Sequence, residues 1–503
     1  MDRIIEIITD NLQPPNAGSD LYENRAVMAK HTQHNYVPVT IWIIAYNRVE
    51  KTKRCVESVL KYTEGIDYEL ILFDNGSTDG TRDYFCSVPY EKKRIYHVTK
   101  NVGGVYPSME VGLKDFGQYL VVLANDLIVT KNWLSNMLLC AKSDPRIGMV
   151  NPVCNNVSNL QGVEFSYRTY DEMQNKAAQF NQSDPEKWED RLRLVTLGTM
   201  YRKEAILALG WPPFDFGFFH DFTDDATTFA VRRAGYRTVL ATDTWICHDH
   251  DYSHGENKDP KQFQASLEIG RKNFRDKYFG VDAWDDVNNY YRPYLGHFPA
   301  PHSKGSARVL GVDVRCGSPI LDIKNWLRRF SVFNTELSAF TQDPKYWIDL
   351  KTICGGPVVC DREEFLLDSF PRDSFDYVVA DHPLNRYHEP QKFLSDLFSL
   401  CRRDGYVICR LKNTATFQEY ANMLGRREIY DPEISYGIPL ELAQETLQKY
   451  GTIECRLNIT FDINADTRQA VAELLPEDLD SEAREVLLDR LVCKDFLFVV
   501  RKT

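Results

Sequence analysis

The chain reads as an α/β protein built from two parallel-sheet domains, and three features of its 503 residues carry that reading. Short apolar runs such as VTIWIIAY, YELILFD and YLVVLAND alternate with amphipathic stretches, the pattern of strands buried on both faces and of the helices that cover them. The alternation breaks at GVDAWDDVNNYYRPYLGHFPAPHSKGSAR, residues 280–308, and resumes beyond it. The length exceeds one ordinary core of about 100 to 200 residues. A hydrophobic content of 43% with 12% aromatic and 26% charged residues is enough to fill more than one core.

The expected divisions are an N-terminal appendage over 1–36, a first α/β domain over 37–285, a linker over 286–308 and a second, Rossmann-like α/β domain over 309–503. In the appendage, the spacing of Ile4, Ile5, Ile7, Ile8 and Leu12 predicts a short amphipathic helix over 1–12, which QPPNAGSD cannot continue. The appendage packs on the body or on another subunit, so a homo-oligomer is allowed. The first domain then runs VTIWIIAY strand, RVEKTKRCVESVLKYT helix, YELILFD strand, GTRDYFCSV short helix, KRIYHVT strand, VYPSMEVGLKDFG helix and YLVVLAND strand. In the second domain ARVLGVDV, DYVVADH, GYVICRL and DFLFVVRK read as strands, and no internal repeat relates the halves.

The formal charge of −12 disfavours broad attachment to nucleic acid or anionic lipid, which needs a cationic surface. No transmembrane stretch of about 18 to 20 apolar residues occurs, and the start MDRIIEIITDNLQPP is a poor secretion signal. A cytoplasmic protein is expected. The 12 cysteines include no C-x-x-C pair, which points to reduced core thiols. Without an export signal, the acceptor pattern at Asn156-Val157-Ser158 carries no weight.

In a parallel sheet, ligands sit beyond the carboxyl ends of the strands. Three predicted strands end there in polar residues: AYNR (Tyr46, Asn47, Arg48), FDNGSTDGT from Asp74, and AND (Ala124, Asn125, Asp126). Asp74 with Asn75-Gly76-Ser77 offers acceptors for a base or ribose, and the same residues equally suit a turn with an Asx cap. Asp126 is a lone carboxylate in the apolar run VVLANDLIV.

Together, VTIWIIAYNR, CVESVL, ELILFDNGSTDGT, NVGG, VVLANDLIV, GTMYRKEAILALGW and FDFGFFHDFTDDATTFAVRRAGYR…ICHDH resemble glycosyltransferase family 2 over about residues 37–290. The resemblance implies a GT-A fold and an inverting, hexosyltransferase-type enzyme that uses a nucleotide-diphosphate sugar, a UDP- or dTDP-sugar, and a hydroxyl acceptor on a glycan or a protein. It implies donor binding by Ala45, Tyr46, Asn47, Arg48, Asp74, Asn75, Ser77, Asn101, Gly103, Gly104 and Asn125. Asp126 takes the last position of the family's D-x-D element, with Ala124 where the first acid stands, and His248 is the second metal ligand. Such a mixed shell suits Mn²⁺ somewhat better than Mg²⁺. His248, His250 and His254 also raise a zinc reading, which lacks a cysteine pair.

The family's base lies in an acidic pair ahead of a helix ending R-x-x-G-Y; counting back from Gly235 makes Asp224 the base, with Asp225 as runner-up and Asp221 more distant. Thr223 replaces the pair's first acid, and an N-cap reading also fits TDDATTFAVRRAG. Arg232 and Arg233 are expected at the surface of that helix. The loop WPPFDFGFFHDF, with Trp211, Phe214, Asp215, Phe216, Phe218 and Phe219, is the expected acceptor side, core packing being the alternative for each ring. Further acceptor specificity is expected from loops such as 155–195.

VLGVDVRCGSP and the segment containing SFDYVVADH resemble class I S-adenosylmethionine-dependent methyltransferases. Arg315 stands where their D-x-G-x-G loop has a glycine, so a degenerate domain is expected and S-adenosylmethionine is disfavoured. In an active domain Asp361 and Asp381 would lie on the cofactor side. The competing functions are a combined glycosyltransferase and methyltransferase, and a non-catalytic binder of sugar nucleotides.

Overall fold

The computed structural model describes residues 4–7, 38–101, 116–209, 218, 221–250, 259–302, 305–425, 434–476 and 478–503. It divides into two compact units, Met1–Asn288 and Asn289–Thr503. Among the described residues, no helix is long and apolar enough to cross a membrane.

The first unit runs β1 (Ile4–Ile7), β2 (Val39–Ala45), α1 (Val49–Tyr62), β3 (Tyr68–Asp74), α2 (Thr81–Ser87), β4 (Lys93–Val98), β5 (Tyr119–Ala124), β6 (Leu127–Ile128), α3 (Trp133–Ser143) and β7 (Ile147–Cys154). It continues with α4 (Tyr170–Phe180), β8 (Trp188–Asp190), β9 (Thr199–Arg202), α5 (Lys203–Leu209), α6 (Thr223–Arg233), β10 (Arg237–His248) and α7 (Pro260–Lys277). These strands form one sheet in the order β1-β4-β3-β2-β5-β9-β7-β10-β6, with β8 also on β10. The run from β1 to β5 is parallel, β9 is antiparallel to β5 and β7, and β7 pairs parallel with β10.

Alternation along the strands builds a core on each face of the sheet. Val39, Ile41, Ile43, Leu70 and Leu72 join one apolar cluster, whereas Trp42, Ile71 and Phe73 join the other. Two expectations are corrected. Ile4–Ile7 is a strand paired parallel with β4, not a helix; β-branched isoleucines favour the extended chain where a sheet edge is available to pair with them. VVLANDLIV is two strands, because the chain turns at Asn125-Asp126 and β6 leaves to pair antiparallel with β10. The predicted helix at 105–117 lies almost wholly outside the described residues.

The second unit runs β11 (Ser306–Val312), α8 (Ser318–Arg328), β12 (Asn334–Thr341), α9 (Trp347–Ile353), β13 (Val358–Cys360), α10 (Leu366–Ser369), β14 (Phe375–Pro383), α11 (Pro390–Leu400) and β15 (Cys401–Lys412). It ends with α12 (Phe417–Leu424), α13 (Leu440–Gln448), β16 (Gly451–Thr460), α14 (Ala465–Glu473), α15 (Ser481–Val492) and β17 (Cys493–Lys502). The order is β13-β12-β11-β14-β15-β17-β16, parallel except for β17, which is antiparallel to both neighbours. This Rossmann-like sheet reverses its strand order between β11 and β14, the usual ligand position in such folds. β16 escaped the apolar-run reading because it is an edge strand whose alternate residues are exposed.

Candidate active site

Three carboxyl ends of the first sheet meet side by side, with Ala45 opposite Asp74 and Ile44 opposite Ala124. Beyond them Asn47 and Arg48 are both left-handed, with φ of 54° and 61°. That turn is pinned from both neighbouring strands. Asn47 N donates to Ser77 Oγ at 2.8 Å, its Oδ1 accepts from Thr78 N at 2.9 Å, and its carbonyl accepts from Asn125 Nδ2 at 2.8 Å. Asn125 Nδ2 also donates to Thr52 Oγ1 at 2.9 Å, which ties the turn to α1.

Asp74 makes the contacts of a turn cap. Its side chain is fully buried, Oδ1 accepts from Ser77 N at 2.9 Å, and Oδ2 lies 2.7 Å from His97 Nδ1. Gly76, at φ 83°, admits neighbouring backbone: a Cβ there would meet Asn101 N at 2.7 Å. Asn75 Nδ2 donates to Asn101 Oδ1 at 3.3 Å. Tyr46 projects from the same edge, nearly half exposed. Gly103 and Gly104 lie outside the described residues.

The turn at Asn125-Asp126 brings Asp126 to His248, because β6 pairs Leu127 with His248 and Asp249 N donates to Asp126 O at 2.8 Å. Asp126 Oδ2 lies 3.8 Å from His248 Nε2 and 3.5 Å from Arg48 Nη1. Burial acts to raise the Asp126 carboxyl, but His248, Arg48 and Lys51 outweigh it and hold it below its ordinary pKa. His248 is itself clamped: its N donates to Asn155 Oδ1 at 2.8 Å, and its carbonyl accepts from Asn155 Nδ2 at 2.9 Å. His248 Nδ1 lies 3.2 Å from Asn156 O, and its Nε2 faces Asp126.

A hard oxygen and an imidazole nitrogen 3.8 Å apart can share one divalent ion, since each ligand distance is about 2.0 to 2.2 Å. Among the described residues no three His, Cys, Asp or Glu side chains converge, so the rest of such a shell would fall to diphosphate oxygens and water. The His250 ring meets the His248 ring edge-on, with centroids 5.1 Å apart, and His254 lies outside the described residues.

The expected acidic pair opens α6, after Phe222 in the left-handed region. Asp224 is half-buried, and its Oδ1 accepts from Thr196 Oγ1. The antiparallel pairing of Val122 with Thr199 carries Thr196 past the carboxyl end of β5, toward the Ala124–Asp126 turn. Asp225 differs: it is buried and ion-paired with Arg193 Nε, and burial, against the pull of Arg193, pushes its carboxyl up to about 6. Asp221 accepts from Ser266 Oγ. Arg232 is buried, contrary to expectation, and donates through Nε to Leu192 O at 2.9 Å. Phe218 is core, 6.4 Å from the Phe274 ring, while Trp211, Phe214, Asp215, Phe216 and Phe219 lie outside the described residues.

At the switch point of the second unit, Asp313 is 2% exposed and both its oxygens are engaged. Gln342 N donates to Oδ1 at 2.9 Å, while Gln342 Nε2 and Tyr387 OH donate to Oδ2 at 2.9 and 3.0 Å. Arg315 is left-handed, φ 52°, in a loop where glycine would bear no penalty. Asp381 is fully buried and accepts from Asn289 Nδ2 at 2.9 Å, whereas Asp361 is exposed. Of these acids only Asp313 has both oxygens engaged within the protein; Asp381 Oδ1 has no hydrogen-bond partner among the described residues.

Residues 40–203 match the family model for glycosyl transferase family 2. The first unit carries a family 2 glycosyltransferase domain. No curated protein matches the chain. Among solved structures, an S-adenosylmethionine-dependent methyltransferase from Archaeoglobus fulgidus is 18% identical, covers 46% of this chain and 98% of its own, and scores a TM of 0.29. A chain of the Haloferax volcanii complex of a methyltransferase with its activator is 14% identical over 46% of this chain and 93% of its own, with a TM-score of 0.28. Scores this low carry no argument; the Rossmann-like form of the second unit rests on its own strand order.

The match to the glycosyltransferase family runs from β2 to the start of α5, and so stops short of α6 and His248. In the family 2 domain, sequence reasoning missed His97, Asn155, Arg193 and Thr196. Asn155 and Arg193 fall in the 155–195 loop without being singled out, His97 lies in the predicted strand KRIYHVT, and Thr196 stands in no motif or periodicity.

Proposed function

We propose that the chain is a metal-dependent inverting glycosyltransferase of hexosyl type that moves a sugar from a UDP- or dTDP-sugar to a hydroxyl on a glycan or protein. The observation that carries this is the pairing of Asp126 with His248 at the strand edge toward which Thr196 and Asp224 are carried. Asp126 Oδ2 and His248 Nε2 are the residues that would hold Mn²⁺ or Mg²⁺ with the donor diphosphate. The ion would supply positive charge to the departing diphosphate.

Arg48, 3.5 Å from Asp126, adds a fixed cation at that edge. Asp224 takes the proton of the acceptor hydroxyl as its oxygen attacks the anomeric carbon from the face opposite the diphosphate. The new C–O bond forms while the old one breaks, and its electron pair leaves on the diphosphate. Asp225, already paired with Arg193, is the weaker candidate.

The test is transfer or hydrolysis from a panel of nucleotide sugars with Mn²⁺ by the full chain. Asp224→Asn should lower kcat by about 100-fold or more while leaving nucleotide binding intact. Asp126→Ala should abolish the Mn²⁺-dependent part of UDP binding in calorimetry. Turnover by the Asn variant at the wild-type rate sinks the base assignment; nucleotide binding indifferent to Mn²⁺ and to Asp126 sinks the metal site.

A further inference from the structure

The segment Leu192–Thr196, which leads into β9, lies along α6 and bonds to it at successive positions. Leu192 O accepts from Arg232 Nε at 2.9 Å, Arg193 pairs with Asp225, Leu194 O accepts from Thr228 Oγ1 at 3.3 Å, and Thr196 Oγ1 donates to Asp224 Oδ1. The other side of the segment is bonded to β7, through Asn151, and to the loop after it. Val195 N donates to Gln161 Oε1 at 2.7 Å, Val195 O accepts from Gln161 Nε2 at 3.0 Å and Asn151 Nδ2 at 2.6 Å, and Arg193 O accepts from Asn159 Nδ2 at 2.9 Å.

That loop also provides Asn155 and Asn156, which hold His248. Three of its residues, Asn156, Asn159 and Leu160, are left-handed, with φ of 52°, 63° and 54°. Such strain in side chains other than glycine persists only where surrounding bonds over-determine the backbone. One network therefore runs from the Asp126–His248 pair to the start of α6.

The two carboxylates at that helix start are treated differently. Arg193 neutralises Asp225 in a buried pair. Asp224 receives one hydroxyl on Oδ1, and its Oδ2 accepts no hydrogen bond among the described residues. A general base needs this arrangement, one oxygen fixed and the other open to the acceptor.

We infer that the 192–196 strap sorts the acidic pair: Thr196 is a positioning residue that aims Asp224 Oδ2 at the acceptor hydroxyl, and Arg193 withdraws Asp225 from the chemistry. The inference rests on the proposed transferase reading, with Asp224 as base. It is tested in the full chain with whichever nucleotide sugar the wild type turns over.

Thr196→Val should lower kcat about 10- to 100-fold, the scale of a misplaced catalytic group, with the donor KM and the thermal midpoint close to wild type. Thr196→Ser, which keeps the hydroxyl, should restore most of the rate. The double variant Arg193→Met/Asp225→Asn removes the buried pair without stranding a charge and should keep turnover within tenfold of wild type. Wild-type kcat in Thr196→Val, or a loss that Ser does not rescue, overturns the positioning role. A double variant as inactive as Asp224→Asn overturns the sorting. If the wild type turns over no donor, the transferase reading fails and takes this inference with it, whereas a wild type that works and an inert Thr196 overturn the inference alone.

Discussion

Both ends of the Asn155 side-chain amide bond to the backbone of one residue, His248, and this single side chain sets where the imidazole stands. Ligand imidazoles depend on such outer partners, whose loss typically lowers metal affinity by about 10- to 100-fold. Asn155→Ala should therefore weaken Mn²⁺ binding by that factor in calorimetry with the metal and UDP, with the overall fold retained. Undiminished affinity would show that the clamp has no bearing on the site. Gly76 is the complementary case. Alanine there would need φ near 83° and would place Cβ 2.7 Å from the Asn101 backbone nitrogen. Left-handed strain and overpacking each cost about 1 to 3 kcal/mol, so Gly76→Ala should lower the thermal midpoint by several degrees, and an unchanged midpoint would contradict the close approach.

At the scale of elements, α7 is joined to the turn that follows it through Asp282. Arg271 Nε donates to Asp282 Oδ2 at 2.7 Å, Arg275 pairs with the same carboxylate, and Trp284 N and Asp285 N both donate to Oδ1 at 2.9 Å. Burial acts to raise this carboxyl, but Arg271 and the two N–H groups prevail and lower it to about 2. A depressed pKa means stability that is present above the unfolded value and lost as pH falls through the folded one. The contribution of Asp282 should thus disappear between about pH 4 and pH 2. Asp282→Asn should be less stable than wild type at pH 7 and approach it below pH 2; an equal deficit at both pH values would refute the linkage. The short β6 shows how pairing overrides local pattern. Leu127–Ile128 continues an apolar run, yet it leaves β5 because β10 offers it a partner, and the resulting turn places Asp126 against His248.

At the scale of the whole molecule, each unit has cores of its own, so unfolding should show two transitions. UDP with Mn²⁺ should raise one midpoint and leave the other in place, since a ligand stabilises only the unit that binds it. S-adenosylmethionine should give no binding heat, because Asp313 is fully engaged by Gln342 and Tyr387; a saturating titration would reopen the methyltransferase reading of the second unit.

The apolar runs by themselves determined the presence of both sheets and eight of the seventeen strands among the described residues, because burial on both faces requires continuous hydrophobic residues and that demand is local. Motif order likewise marked Asp126, His248 and Asp224, and Arg315 marked the altered loop of the second unit. Only the tertiary structure decided that Ile4–Ile7 is a strand, that Asp74 faces His97 and Ser77, and that Asp225 belongs to Arg193. It alone brought Thr196 to Asp224 and Asn155 to His248, pairs separated by 28 and 93 positions in the chain. Their hydrogen bonds depend on register and on strap geometry, and neither quantity is written in the periodicity of any one segment.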